Sequence, residues 1–433
     1  MKSLWNAEVE LPKFPQLEGI AKTDVLIIGG GMAGILCAQK LHKAGVDYLL
    51  VEADRICSGV TGNTTAKLTS QHGLIYQDLL RRFGAEGARL YYQANEGALD
   101  AYRRLCAGIN CDFREQDSYV YSLSGTEKLV RELDALEQIG AEAELVQTDT
   151  LPFPTAGAVR FPHQAQFHPL KFVSAVAKDL NIFEHTAVRS FNGLIYRTDK
   201  AIIRAQKAIV ATHFPLWNKH GAYFLKQYQH RSYVLALENA AQLDGMYLDE
   251  SRAGLSLRSQ GNLLLLGGGA HRTGHQGGGW DELERAATLY YPGAPIRYCW
   301  ATQDCMTLDD VPYIGRYSPR TPDLFVATGF NKWGMTSSMA AAGILCDLVQ
   351  GKENPYASLF SPSRSMLHPQ LIANGANALW NLLTPTVPRC PHMGCALKWN
   401  RREHSWDCPC HGSRFEKDGK LLDGPAAGDL RKT

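Results

Sequence analysis

The sequence predicts an α/β protein in which a parallel-sheet domain carries an inserted antiparallel-sheet domain, with a small metal-binding module at the end of the chain. Residues 25–28 are wholly apolar and are followed at once by a glycine-rich turn and a helical pattern, as in a buried parallel sheet. Between residues 220 and 300, alternating or apolar runs are separated by turns, which is typical of an antiparallel sheet. Residues 390–413 hold Cys and His pairs at metal-ligand spacing.

Composition sets the class of the protein. The chain has 433 residues, of which 45% are hydrophobic and 20% charged, with a formal net charge of +2. This balance fits a globular protein of two or three domains and implies no attraction to nucleic acid. No apolar run approaches the ~18 residues of a membrane span. No signal-peptide core follows the initial Met, so we expect a cytoplasmic protein.

The first strand, turn and helix form a dinucleotide-binding motif. The apolar strand 25–28 leads into Gly29, Gly31 and Gly34 in the pattern G-x-G-x-x-G, and a second strand ends at Glu52. Gly29 permits the tight turn, Gly31 lets the backbone approach a pyrophosphate, and Gly34 allows close packing of helix on strand. Glu52 is placed to accept hydrogen bonds from ribose hydroxyls.

The long polar run at residues 58–73 distinguishes between flavin and nicotinamide cofactors. It is rich in Gly and Thr where a nicotinamide-binding half begins its next helix. The run resembles the flavin-lining loop of the FAD-dependent amine oxidase group, which includes D-amino acid oxidase and glycine oxidase. The alternative is a solvated surface loop.

The resemblance implies FAD as cofactor and a Rossmann-like FAD-binding domain. Residues 311–315 and 329–336 resemble the closing half of the same family, and residues 182–188 resemble its adenine-contacting strand. The cofactor-binding residues that it implies, besides the glycines and acid above, are Asn63, Thr64, Thr65, Val188, Gly329, Gly334 and Thr336.

The antiparallel part of the chain is expected to cover the substrate. Arg258 ends a strand there and is positioned to bind a substrate carboxylate, although a surface salt bridge is the more common role for such a residue. The remaining candidates for catalysis are Lys67, His72 and Trp300. Residues 267–279 are a flexible glycine-rich loop, either a lid or an exposed connection.

The final module has two ligand loops. Each loop offers one Cys and one His at short spacing, with a further Cys close by. Two Cys and two His are the ligands of a Rieske [2Fe–2S] centre, and zinc is the alternative. The runs C-x-H-x-G-C and C-P-C-H-G-S resemble the Rieske family. That resemblance implies Cys390 and Cys408 on one iron, His392 and His411 on the other, and a disulfide between Cys395 and Cys410.

The module lacks the strand-rich base that precedes the first ligand loop in a full Rieske domain. The expected domain bounds are 1–80, 150–215 and 300–352 for the FAD-binding domain, 81–149 and 216–299 for the substrate domain, 353–385 for a linker and docking helix, and 386–433 for the Rieske module.

These parts together predict an FAD-dependent dehydrogenase acting on a small amine, amino acid or hydroxy acid. Electrons would leave one at a time through the [2Fe–2S] cluster to an external one-electron acceptor, for which a protein is one candidate. Two alternatives remain: an oxygen-using oxidase whose cluster is structural, and a non-catalytic redox sensor or electron-transfer adaptor. A Rieske oxygenase is disfavoured because no two-His, one-carboxylate facial triad accompanies the cluster motif.

Overall fold

A computed structural model describes residues 2–217, 220–385 and 388–430. The helices are α1 (Leu4–Glu8), α2 (Met32–Lys43), α3 (Tyr76–Cys106), α4 (Glu127–Ile139), α5 (Pro169–Val176), α6 (Tyr223–Lys226), α7 (Gly279–Tyr290), α8 (Gly334–Val349), α9 (Ala357–Phe360) and α10 (Pro369–Leu383), with short 3₁₀ turns at Val60–Asn63 and Ala177–Asp179. The strands are β1 (Gly19–Ile28), β2 (Tyr48–Val51), β3 (Lys67–Leu68), β4 (Arg114–Ser122), β5 (Glu144–Val146), β6 (Gly157–Gln166), β7 (Ile182–Phe183), β8 (Ser190–Asn192), β9 (Ile195–Arg197), β10 (Ala201–Val210), β11 (Tyr228–Glu238), β12 (Gly245–Asp249), β13 (Ser256–Gln260), β14 (Leu263–Arg272), β15 (Ile296–Met306), β16 (Tyr313–Arg316), β17 (Leu324–Thr328), β18 (Lys398–Asn400), β19 (Ser405–Asp407), β20 (Arg414–Glu416) and β21 (Leu421–Asp423).

The first sheet has eight strands and a parallel centre. Its main path runs β16-β17-β10-β1-β2-β7, with β9 pairing to β10 and β8 to β9. Strands β17, β10, β1, β2 and β7 are parallel to one another, and β16 is antiparallel to β17. The last four residues of β1 are buried on both faces of the sheet. Val25 and Ile27 belong to the same core cluster as α2 and α8, and Leu26 and Ile28 belong to a second cluster on the other face.

The second sheet has nine strands in the order β15-β11-β14-β13-β12-β4-β6-β3, with β5 paired to β6. All of its pairs are antiparallel except β12 with β4. Strand β6 and the last part of β15 belong to this sheet, although the sequence-based bounds assign 150–215 and 300–352 to the FAD-binding domain. A strand pairs with the neighbours that complete its hydrogen bonds, so sheet membership crosses those predicted bounds.

The C-terminal module is a four-stranded antiparallel sheet, β18-β19-β20-β21. Its core is small and consists mainly of Cys side chains with Leu397 and Phe415. A core of this size contributes little hydrophobic free energy, so the module depends on contacts with the rest of the chain.

A buried ion-pair network joins the module to β11. Glu403 accepts hydrogen bonds from Arg231 of β11 at 2.8 Å and from Arg414 of β20. Arg414 also donates to Asp407 at 3.0 Å. The Arg231 and Glu403 side chains are 9% and 8% exposed, so each charge relies on its partners rather than on water.

Within the described ranges, no helix has the length and apolar character required to cross a bilayer.

We predict that Glu403→Gln loosens the docked module. Burial alone would raise the pKa of Glu403, but Arg231 and then Arg414 more than offset it and hold the pKa near 2, below its usual 4.5. The stabilisation is therefore complete above about pH 4.5 and is lost as the pH falls toward 2. Removing the charge leaves two buried arginines short of a partner, at a cost of roughly 3–5 kcal/mol.

Thermal unfolding and hydrogen exchange of residues 405–416 measure this loss. Glu416→Gln, at an exposed position on the same strand as Arg414, is the matched control and should behave as wild type. Equal stability of the Glu403 variant and its control would contradict the docking role.

Candidate functional site

A cavity of about 740 Å³ lies between the two large sheets. The glycine motif forms one part of its wall. Gly29, Gly31 and Glu52 all line it. A Cβ at Gly34 would lie 1.9 Å from the Gly29 carbonyl oxygen, and one at Gly29 would lie 2.5 Å from the Ala211 carbonyl oxygen. Helix α2 can therefore approach β1 closely only with glycine at these positions, which agrees with the predicted roles.

Glu52 is held at the end of β2 by backbone donors. Its Oε2 accepts a hydrogen bond from Gly30 N at 2.6 Å, and its Oε1 accepts one from Asp54 N at 3.0 Å. Burial raises the pKa of Glu52 and these N–H groups lower it, with burial the larger effect. The side chain thus fixes the glycine turn as well as lining the cavity where a ribose would lie.

Four consecutive backbone carbonyls of the loop after β2 are each held by a distant side chain. Ser3 Oγ donates to Gly62 O, Trp300 Nε1 to Asn63 O at 3.0 Å, Trp5 Nε1 to Thr64 O at 2.7 Å, and Arg258 Nε to Thr65 O at 2.6 Å. Thr64 and Thr65 line the cavity. The donors come from α1, β13 and β15, so the loop is rigid where it meets the cavity.

This arrangement places two of the predicted catalytic residues away from the cavity. Arg258 and Trp300 are both buried and neither is on the cavity wall. Arg258 lies over the Trp5 ring at 5.5 Å, and burial lowers its pKa to about 9. Its guanidinium also donates to the Gln260 side chain at 3.0 Å, so it holds the loop and does not reach a substrate carboxylate.

Two of the predicted flavin contacts also lie off the wall. The Asn63 amide donates to Gly59 O at 3.0 Å, and Thr336 Oγ1 donates to Thr69 O at 3.1 Å. Val188, Gly329 and Gly334 do line the cavity, as the resemblance implies.

His72 lines the cavity as a neutral, fully engaged imidazole. Its Nε2 donates to Thr69 O at 2.9 Å, and its Nδ1 accepts from the Tyr91 hydroxyl at 2.7 Å. The ring stacks on Trp333 at 4.7 Å between centroids. Burial lowers the pKa of His72 to about 3, so the ring stays uncharged near neutral pH and orients its neighbours.

Lys67 lines the cavity from β3 and has a perturbed ammonium. Its Nζ donates to Tyr247 O at 3.0 Å and to Ser256 Oγ at 2.7 Å. Burial, followed by the charge of Arg258, lowers the pKa of Lys67 to about 7. The group can therefore change its charge within the working pH range.

The cavity wall also contains charged residues that the sequence analysis did not single out. Asp304 and Lys332 both line it, and neither side chain makes a hydrogen bond to another described residue. Burial raises the pKa of Asp304 to about 6, against the opposing effect of Lys332. Arg252 pairs with Asp310 on the same wall. The signal in the sequence was the alternation of β15, in which Thr302, Asp304 and Met306 share the cavity face.

The second site is formed by the two ligand loops of the C-terminal module. The His392 and His411 rings lie 4.9 Å apart between centroids at 88°. Cys390 and Cys408 are buried beside them. The two ligand loops of the module thus carry two buried thiols and two neighbouring imidazoles, the donor set that a Rieske cluster requires.

The hydrogen bonds of His411 leave one ring nitrogen free to bind a metal. Its Nε2 donates to Phe224 O at 2.9 Å, which leaves Nδ1 without a proton. Nδ1 is buried and has no hydrogen-bond partner among the described residues. A carbonyl that fixes one ring nitrogen while the other stays free is the usual arrangement around a metal-bound imidazole.

Cys395 and Cys410 lie beside the ligand set. Their Sγ atoms and that of Cys408 lie within 4.8 Å of one another, and all three residues are free thiols in the structure. Close approach of the two spare sulfurs agrees with the loops being adjacent, and the disulfide between Cys395 and Cys410 stays a prediction.

The second ligand loop is held through its carbonyls, like the loop at the cavity. Arg272 Nε donates to Pro409 O at 3.2 Å and Arg272 Nη2 to Cys410 O at 3.1 Å. Gln229 Nε2 donates to His411 O at 2.9 Å, and Gln303 Nε2 donates to Gly412 O at 2.9 Å. All three donors belong to the large antiparallel sheet, so the loop is fixed by the body of the chain.

Strands β11 and β15, which pair with each other, separate the two sites. On β15, Thr302 and Asp304 line the cavity, whereas Gln303 binds the ligand loop. On β11, Ser232 lines the cavity, whereas Gln229 binds the ligand loop. Successive side chains of a strand point to opposite faces, so one strand pair carries a different site on each face.

Comparison with known proteins identifies both parts of the chain. Residues 24–348 match the family model of the DAO-type FAD dependent oxidoreductases, and residues 383–433 match the Rieske [2Fe-2S] domain. The whole chain is 34% identical to the putative Rieske 2Fe-2S iron-sulfur protein YhfW of Bacillus subtilis and covers 97% of it.

Two solved structures share the fold. Glycine oxidase from Geobacillus kaustophilus superposes with a TM-score of 0.68 at 21% identity, over 80% of this chain and 100% of that one. L-Proline dehydrogenase from P. horikoshii gives a TM-score of 0.67 at 17% identity, over 79% and 98%. The chain therefore belongs to the DAO family of FAD-dependent oxidoreductases and carries a C-terminal Rieske domain, so that it binds FAD and a [2Fe–2S] cluster.

Proposed function

We propose that the protein is an FAD-dependent dehydrogenase that oxidises a small amine, amino acid or hydroxy acid and passes the electrons singly through the cluster to an external acceptor. When bound, FAD accepts two electrons from an organic substrate, and a [2Fe–2S] cluster carries one at a time. The observation that carries the proposal is the strand pair β11–β15, which has the cavity on one face and the ligand loop on the other.

The docking of the ligand loop supports transfer within one chain. His411 donates to Phe224 O of the body, and Phe214 lies 6.4 Å from the His411 ring and 6.2 Å from the His392 ring, between centroids. His213, which precedes Phe214, lines the cavity. Leu421 of the module also lines the cavity, so the two sites share a wall.

The substrate class rests on the cavity and on the family. The names of two structural neighbours specify amino acids, glycine and L-proline, as the molecules on which those proteins act. One is named an oxidase and the other a dehydrogenase, so the fold is compatible with either acceptor. The cationic Lys67 and Lys332 and the carboxylate of Asp304 give this cavity groups for a charged, polar substrate.

We propose Asp304 as the base that takes a proton from the bound substrate. Its carboxylate faces the cavity from a rigid strand and has no hydrogen-bond donor among the described residues. An amine must lose its extra proton before it can be oxidised, and a base whose pKa lies near 6 suits that transfer. We keep Lys67 as a second candidate, because its ammonium opens onto the same cavity.

Electron transfer from the flavin to the cluster predicts an order of events when the holoenzyme is kept under anaerobic conditions. Adding amines, amino acids and hydroxy acids one class at a time should bleach the flavin absorbance with a member of one class. A Rieske-type electron paramagnetic resonance signal should follow at low temperature. Flavin bleaching with no cluster signal would contradict this electron transfer, and stoichiometric peroxide that survives His411→Ala would indicate an oxidase.

The double variant Gln229→Leu/Gln303→Leu tests the contact between the sites. It leaves the carbonyls of His411 and Gly412 without their donors, at a cost of roughly 1–3 kcal/mol each. We expect slower cluster reduction with unchanged flavin bleaching in stopped-flow measurements. Gln138→Leu, on the exposed face of α4, is the control.

The raised pKa of Asp304 predicts the pH dependence of flavin reduction. Because burial raises that pKa to about 6, the carboxylate form and the reduction rate should both increase as the pH rises through 6. Asp304→Asn should remove this rise of the rate with pH. It should also slow anaerobic bleaching of the flavin about 10²-fold, the usual contribution of a general base. Asp199→Asn, on an exposed turn, should leave rate and profile unchanged, and an Asp304 variant that keeps the rise would exclude Asp304 as the base.

A further inference from the structure

Helix α10 is amphipathic in the reverse of the usual sense. Its face toward the module is polar, with Asn374 and Asn381 buried at 5% and 2% exposure. The opposite face is apolar and open to solvent. The exposed fractions there are 76% for Ile372, 59% for Leu379, 74% for Trp380 and 72% for Leu383. A surface helix normally buries its apolar stripe, so this stripe calls for a covering partner.

The buried asparagines explain why the helix holds this orientation. Asn377 Nδ2 donates to Pro409 O at 2.8 Å, and the Asn381 carbonyl accepts from Ala396 N at 2.9 Å. Asn374 Oδ1 accepts from Arg272 Nη1 at 2.8 Å. These hydrogen bonds tie α10 to both ligand loops and to the body, so rotating the apolar stripe inward would break all of them.

The stripe lies next to the first ligand loop. Arg389 Nη1 donates to Leu382 O of α10 and to Gly394 O of the loop, each at 2.9 Å. Met393, which follows the ligand His392, is itself exposed. Whatever covers α10 therefore also lies against the side of the module that faces away from the body.

The size and charge of the stripe indicate what covers it. A helix of 15 residues is about 22 Å long, so one face about 10 Å wide offers roughly 200 Å². A stable protein interface needs about 800 Å² from each partner. Residues 365–388 contain no Asp, Glu, Lys or Arg, so the helix offers no charge to steer a redox partner protein.

We propose that α10 is a membrane-surface helix, which lies in the plane of a lipid bilayer with Ile372, Leu379, Trp380 and Leu383 among the acyl chains. An uncharged apolar stripe that includes an exposed Trp suits the boundary between headgroups and hydrocarbon, where the indole N–H meets water. Membrane binding does not depend on the proposed activity. Placing the exposed side of the cluster module near a lipid-soluble acceptor is a consequence that rests on the proposed function.

Vesicle flotation of the full-length holoprotein tests this surface without turnover. Phosphatidylcholine vesicles should carry the wild-type protein upward in a density gradient, and binding should persist at high salt because the stripe is uncharged. The triple variant Leu379→Ser/Trp380→Ser/Leu383→Ser should lose binding by about tenfold or more, since it removes most of the insertable apolar area.

The control variant removes the same number of exposed apolar side chains elsewhere. Ile20→Ser/Leu123→Ser/Leu289→Ser changes residues that are 74%, 56% and 70% exposed, and it should float like the wild type. Cofactor absorbance and melting temperature should match in all three proteins, which shows that each is folded. Failure of the wild type to float would overturn the proposal. So would a dimer in light scattering that only the α10 variant dissociates, because a second copy would then be the partner.

Discussion

The alternation of side chains along β11 and β15 is the constraint on which the arrangement of the two sites depends. A strand presents successive residues to opposite faces, so Gln303 must point away from the cavity that Asp304 lines. The same rule places Ser232 and Gln229 on opposite faces of β11. The pairing register of β11 and β15 cannot change by one residue, because such a change would move every side chain to the opposite face of the sheet. The placement of the two sites on opposite faces of one strand pair is thus a property of sheet geometry.

Both cofactor loops follow a second common rule. The loops at residues 62–65 and 409–412 have little regular secondary structure, so their carbonyls need hydrogen-bond donors from outside. Indole, guanidinium and amide groups of distant residues supply them. The donors are themselves buried in sheets and helices, and this rigidity is what positions ligands such as His411 before any cofactor binds.

The sequence predicts the parts of the site that are local in the chain and misses those that are not. Gly29, Gly34 and Glu52 lie where expected, because a strand–turn–helix motif contains its own geometry within about 30 residues. Arg258 and Trp300 lie off the cavity wall and bind carbonyls 193 and 237 residues away in the chain, and no local pattern reports such contacts. The reversed polarity of α10 was equally hidden, because an amphipathic pattern shows that two faces differ without showing which one is buried.

The shortness of the Rieske module explains why the body must hold it so firmly. Four short strands and a core made mainly of Cys side chains cannot supply the stability of an independent domain. The strand-rich part of a full Rieske domain is replaced by hydrogen bonds from Arg272, Gln229 and Gln303 of the body. The Arg231–Glu403 ion pair adds a further contact between the module and the body. Each of these contacts must break for the module to swing away from the body, so undocking it is energetically costly. Both histidine rings of the module lie close to Phe214 of the body, at 6.2 Å for His392 and 6.4 Å for His411 between centroids, so the body holds both ligand loops.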